Sequence, residues 1–408
     1  MTRLAVSGLR NRTGAFAATF LSAALGAAIL MTFAALLDTA AGTTDAASRE
    51  GLITMASVAG GWCLLIVIFA VSSTMSLSVR QREVEIGVLR RAGATPGQLT
   101  RMIVGEAVLV AVVAAAIAVP IGLGLGRVLL DLLADTGQVA ASVGYVFGPI
   151  ALGVGFGVTV AGSIVGALLA ARRRGRVRSR PGRGRVIGAT VFLLAGTSCA
   201  VVTATVMKGH AIDAMQTAGQ ASIWFALGLA LLAPWLLRLT ARIVPVGLLF
   251  GAPGELAATN VRRQAAALSG AVMPVILFVG ITTATVYMQA MENAASAGRV
   301  LQDFEKNIRT LNYVVVGMLA LFVAIMLVNT VLAATAGRRG EFGRQRLCGA
   351  TPGQTVAMVA AESALLSVAG VGFGALASLV TILPYAYARS DDWTPSLPAA
   401  PFLVVVAT

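Results

Sequence analysis

Two charged motifs recur in this chain at a constant offset. Arg82, Glu85 and Arg90 precede the run Gly93-Ala-Thr95-Pro96-Gly-Gln98, and Arg338, Glu341 and Arg346 precede Gly349-Ala-Thr351-Pro352-Gly-Gln354. In this pattern such side chains suit ion pairs and hydrogen bonds to a partner. Nothing else in the sequence has the spacing of catalysis. There is no Gly-x-x-x-x-Gly-Lys-Ser/Thr run, and the two lysines, Lys208 and Lys306, lie outside any glycine-rich loop. The chain is therefore not its own P-loop ATPase. The single histidine, His210, and the cysteines Cys63, Cys199 and Cys348 fit neither a metal site nor a disulfide framework. No nucleophile–base pair is evident. The sequence assigns this chain no catalytic residue, no metal and no cofactor of its own.

The repeated block dictates a local shape. Gly93 and Gly349 suit the left-handed position that ends a helix. Thr95 and Thr351 can cap the next helix, with Pro96 and Pro352 at its first position, where no amide hydrogen is needed. Gln98 and Gln354 complete a Thr-x-x-Gln capping box. Each copy thus predicts helix, tight corner, helix. Arg82, Glu85 and Arg90, and likewise Arg338, Glu341 and Arg346, project from the first helix. A rigid, charged corner suits the docking of a soluble partner. About half the positions are identical, and the match runs on through Met102 and Glu106, which meet Met358 and Glu362.

The elements on either side are membrane spans. Of the 408 residues, 57% are hydrophobic and 12% charged, half the charge of an ordinary soluble chain. The sequence predicts an all-α integral membrane protein. Spans of about 20 apolar residues fall at Ala15–Leu37, Leu52–Met75, Val108–Leu130, Tyr145–Ala171, Val186–Val206, Ala221–Leu237, Leu268–Tyr287, Leu311–Ala333 and Ser363–Ile382, with a partial tenth from Pro398. The net charge of +14 reflects topology, not nucleic-acid binding: most of the arginines lie in alternate loops, including Arg172 to Arg185, which places those loops and the N-terminus in the cytoplasm. That basic loop reads as a linker touching anionic lipid headgroups. The opposite loops are short and carry most of the acids. The longest, Gln289–Asn312, holds an amphipathic stretch, Val300, Leu301, Phe304 and Ile308.

An even number of spans precedes the second corner, so the repeat is parallel. The chain divides into a first four-helix unit at 1–171, a basic linker at 172–185, a central helix pair at 186–239 and a second four-helix unit at 240–408, its last helix incomplete. Charge at mid-depth is nearly absent, which disfavours a proton- or sodium-driven transporter. Glu106 and Glu362 read as helix-end charges, solvated or paired with nearby arginine, with gating as their other use. Glycines at 122, 124 and 126, at 153, 155 and 157, and at 370, 372 and 374 permit close helix approach.

On these residues the chain resembles the FtsX-like permease family, the membrane subunits of MacB-type (type VII) ABC transporters. The resemblance covers roughly Leu52–Ala171 and Leu311–Thr408. It rests on Arg-x-x-Glu-(Ile/Phe)-Gly-x-x-Arg-x-x-Gly-Ala-Thr-Pro-Gly-Gln between spans two and three of each unit. In that family this segment includes the coupling helix, a role that falls here to Arg82 to Gly93 and Arg338 to Gly349. Ten spans in one polypeptide look like the bacitracin-resistance (Bce) permeases of antimicrobial-peptide resistance. One departure is the short loop Gln289–Asn312, where those proteins carry a large external domain; the periplasmic domain of the MacB permease likewise has no counterpart.

The resemblance implies a multi-pass permease of the bacterial cell membrane. Its partners would be membrane lipids and a cytoplasmic ABC ATPase subunit in two copies, which binds ATP and Mg. The substrate would be an amphipathic peptide, lipopeptide or lipid handled at the outer leaflet. The alternative is a regulatory protein that passes ATP-driven motion to an external hydrolase or a sensor kinase.

Overall fold

The computed structural model describes residues 13–81, 83–172, 183–209, 211–296 and 345–393, with 309–310, 312–314, 316–317, 320, 343, 402 and 405. Among the described residues the regular structure is all helix. The described helices fall into two compact units. The first holds α1 (Thr13–Gly42), α2 (Ala46–Gln81), α3 (Glu83–Arg91), α4 (Pro96–Asp135) and α5 (Pro149–Arg172). The second holds α6 (Arg183–Thr205), α7 (Ala211–Ile243), α8 (Val246–Phe250), α9 (Ala252–Ala295) and α10 (Pro352–Ser390).

Among the described residues seven helices are long and apolar enough to cross a membrane: α1, α4, α5, α6, α7, α9 and α10. The chain is thus an all-α integral membrane protein. The expected second span, Leu52–Met75, runs inside the single helix α2. The eighth and tenth spans fall largely outside the described residues, as do Val300 to Ile308 and most of the basic linker. Several helices outrun their apolar cores. The 40 residues of α4 make a rod of about 60 Å, twice the roughly 30 Å of hydrocarbon. The surplus lets a helix stand clear of the bilayer.

In the first unit, α1 is enclosed by α2, α4 and α5. Lipid supplies no hydrophobic drive between helices, so association rests on close contact. Small side chains provide it: Ala24, Ala27, Ala28 and Ala35 of α1 and Ala114, Ala115 and Ala118 of α4 are all buried. A Cβ on Gly122 would come within 2.9 Å of the Met31 Cβ. Opposite the α3–α4 corner, the buried Asp38 carboxylate accepts backbone N–H bonds from Gly148 (3.1 Å), Ile150 (3.1 Å) and Ala151 (2.8 Å). A side chain of α1 therefore supplies the N-terminal cap of α5.

In the second unit, α9 is the enclosed helix, with α7 and α10 against it and α6 against α7. A Cβ on Gly370 would meet Val275 at 2.6 Å, and one on Gly374 would meet Val279 at the same distance. Not every glycine expected to aid packing does so. Gly124, Gly153, Gly157 and Gly372 have open space where a Cβ would stand, whereas Gly155 lies under Met31.

Candidate functional site: the paired helix corners

The two corners have the same backbone. Gly93 has φ +92° and Gly349 has φ +89°, the conformation predicted for a helix-ending glycine. In the first copy the Ala94 N–H donates to Leu89 O (3.0 Å) and Gly93 N–H to Arg90 O (3.1 Å). In the second, Ala350 N–H donates to Gln345 O (3.0 Å) and Gly349 N–H to Arg346 O (3.0 Å). The next helix starts identically in both. Thr95 has φ −71° and ψ 152°, and Thr351 has −74° and 156°. Each threonine hydroxyl accepts from the glutamine N–H three residues on, at 3.3 Å in both copies. Each glutamine Oε1 accepts from the threonine N–H, at 3.0 Å for Gln98 and 2.9 Å for Gln354. Pro96 and Pro352 occupy the first turns.

Packing holds the first corner in place. Ile86 of α3 is buried with Leu99, Ile103 and Ala107 of α4 and Ala167 of α5. The second copy is anchored through Met358, the repeat partner of Met102. Met358 packs with Ala257 and Ala361, while the Gln345 amide donates to its sulfur at 3.5 Å. The anchors are internal and the capping residues face out: Arg90, Thr95, Pro96, Gln98, Arg346, Thr351, Pro352 and Gln354 are all exposed. Arg82, Arg338, Glu341 and the Glu85 side chain lie outside the described residues.

Glu106 and Glu362, one helical stretch beyond each corner, are buried, which bears against solvation, one of the two helix-end uses expected beside pairing with arginine. Glu362 accepts from the Asn260 amide of α9 at 3.1 Å. A packed interhelical contact has replaced water there. Sequence reasoning overlooked other functional candidates at the corners, namely exposed Arg91, Arg101, Leu347 and Val356. Aligning the two copies and reading where they differ, not only where they agree, would have raised them.

The fold and the paired corners define a multi-pass membrane protein with an internally repeated helix corner. The family model of the FtsX-like permease C-terminal region matches residues 57–174 and 313–408, each segment containing one corner. The chain belongs to the FtsX-like permease family, whose members are generally permease components of ABC transporters that pair with cytoplasmic ATPases. No curated protein matches the chain.

Proposed function

We propose that this permease couples ATP hydrolysis by a separate cytoplasmic ATPase dimer to export or extraction of an amphipathic substrate at the outer leaflet of the bacterial cell membrane. One corner receives each ATPase copy; ATP and Mg belong to that partner. The observation that carries the reading is the match of the two corners in φ, capping box and helix-ending hydrogen bonds. A two-fold partner needs two such knobs, and an ordinary re-entry turn has no reason to repeat each cap. The close small-residue contacts of α1 with α4 and of α9 with α10 favour transmission of motion over a water-filled path. An apolar or amphipathic substrate at the outer leaflet suits that arrangement.

The test is copurification of the ATPase, with its turnover in lipid. Glu85→Arg combined with Glu341→Arg sets like charge where complementary charge is expected. ATPase per permease should fall, or hydrolysis should uncouple, with membrane insertion normal. If both are unchanged, while matched reversals in the Arg172–Arg185 loop abolish them, docking lies in that loop. Cytoplasmic placement of the corners is tested separately. Ala92→Cys should react with an impermeant maleimide only from the cytoplasm and Ser296→Cys only from outside.

A further inference from the structure

The corners share a backbone but not a surface. At the tip of the first, Arg90 is followed by Arg91, Ala92 and Gly93; at the tip of the second, Arg346 is followed by Leu347, Cys348 and Gly349. Arg91 is exposed and its Nε donates to Gly87 O at 3.3 Å. Leu347, at the same place in the repeat, is 89% exposed. The difference continues into the next helix. Thr100 and exposed Arg101 of α4 correspond to Val356, 68% exposed, and Ala357 of α10. One turn back the exchange runs the other way, with Val88 and Leu89 exposed where the second copy has Arg344 and Gln345. On either side of the corner the same scaffold thus carries arginine in one copy, at 91 and 101, and an exposed apolar side chain in the other, at 347 and 356.

Lipid does not account for the apolar tip. The apolar span expected in α10 begins at Ser363, eleven residues beyond Pro352, so along the helix the corner stands about 16 Å, and Val356 about 10 Å, before that start. A leucine so exposed at that depth stands in water unless a protein covers it.

We infer that, beside the charge pairing expected of Glu85 and Glu341, the two tips dock by different contacts: at the first, Arg90 and Arg91 pair with carboxylates of the ATPase; at the second, Leu347 inserts into an apolar pocket of the ATPase copy it meets. This rests on the coupling role proposed above. Charge pairing at the first tip is screened by salt, since the Debye length falls to about 3 Å at 1 M. Burial of Leu347 is not screened and holds at high salt. The two contacts are therefore separable by ionic strength.

Equivalent reporters exist at positions 92 and 348. Cys348 is exposed, and Cys63 is buried. With Cys199→Ser as background, Cys348 reports on the second tip; Ala92→Cys with Cys348→Ser reports on the first. The measurement is the rate of labelling by an impermeant maleimide in inside-out vesicles, with and without the ATPase. At about 0.1 M salt both positions should be shielded by the ATPase. At about 1 M salt position 92 should return to its ATPase-free rate, roughly a tenfold rise, while position 348 stays shielded. Leu347→Glu should remove shielding at 348 and leave 92 as it was. An equal salt response at both positions overturns the inference. So does persistent shielding of 348 in Leu347→Glu, or slow labelling of 348 without ATPase, which would mean that the bilayer covers it. If neither position is shielded at low salt, the coupling role itself fails, and this inference with it.

Discussion

The Tyr385 hydroxyl donates to the Glu292 carboxylate at 2.5 Å, tying α10 to α9 at the end remote from the second corner. Arg389 Nε donates to the same oxygen at 3.0 Å, so one carboxylate holds two partners one turn apart on α10. The corresponding positions of α4 are Leu129 and Leu133, both buried. A polar network thus stands in one unit where the other has leucine packing. Tyr385→Phe should cost about 1 kcal/mol, an ordinary interhelical hydrogen bond. Glu292→Ala should cost more, about 2 kcal/mol, because it strands both donors. Replacing Glu292, Tyr385 and Arg389 together by leucine should recover part of the loss, as apolar packing can substitute for a buried polar network. Thermal unfolding of the purified permease in detergent measures all three. A Glu292→Ala midpoint equal to wild type would show that the network carries no stability.

Asp38 has a different task, since its three bonds all go to backbone amides of one helix start. Asp38→Ala leaves those amides, of which that of Ala151 is buried, without this acceptor. A loss of about 2–3 kcal/mol is expected, with faster proteolysis in the loop at 136–148. Asp38→Asn keeps one oxygen acceptor and should be milder. Gly148→Ala should also destabilise, because its Cβ would stand 2.6 Å from Asp38 Oδ1. Equal protease resistance in Asp38→Ala and wild type would remove Asp38 from the capping role.

Local chemistry made the corners legible in advance. Glycine, threonine, proline and glutamine at fixed spacing admit few backbones, and the structure has the predicted one twice. The membrane class followed from composition with equal directness. Long-range contacts were a different matter. Asp38 read only as an acid beyond the end of a span, because its partners lie over a hundred residues away. Glu292, Tyr385 and Arg389 are likewise separated by a stretch of chain that periodicity does not bridge. Burial of Glu106 and Glu362 was missed because a carboxylate near a span end looks the same whether it faces water or a neighbouring helix. Which glycine of a cluster faces a helix depends on rotation about the helix axis, and Gly155 rather than Gly153 or Gly157 takes the contact.

The first turn of α2 provides a pH test. The Asp45 carboxylate accepts from the Ser48 hydroxyl and from the Ser48 N–H at 3.0 Å, and these bonds hold its pKa below the usual 3.8. A carboxylate with a depressed folded-state pKa stabilises the fold above its unfolded pKa, and that contribution is lost as pH falls through the folded value. Asp45→Asn should therefore melt below wild type at about pH 7, and the gap should narrow as pH falls below 3.8 and through the lower folded-state value. A gap that stays constant across the range would mean that the charge on Asp45 is irrelevant. Ser48→Ala should behave differently. Its hydroxyl also accepts the Ala140 N–H at 2.9 Å, a bond that does not titrate, so part of its deficit should persist at low pH.

The corner glycines separate backbone strain from crowding. A Cβ at Gly93 or Gly349 would meet nothing within 4 Å, yet both residues have positive φ. Any cost of substitution is then conformational. Gly93→Ala should cost about 1 kcal/mol, and Gly93→Val more, because a β-branched side chain tolerates positive φ worst. Gly93→Asn should be the mildest, since asparagine enters the left-handed region most readily. Pro96→Ala should be milder than Gly93→Val, as proline at a first helical position helps but is replaceable. The readouts are copurified ATPase per permease and ATPase rate in lipid, alongside the melting midpoint. Gly93→Val should lower coupling while the spans stay folded, because α3 would leave Arg90 at a changed angle to α4. The order Asn, Ala, Val should appear at position 349 as well. If valine at either position couples as well as glycine, corner geometry is not what the partner reads.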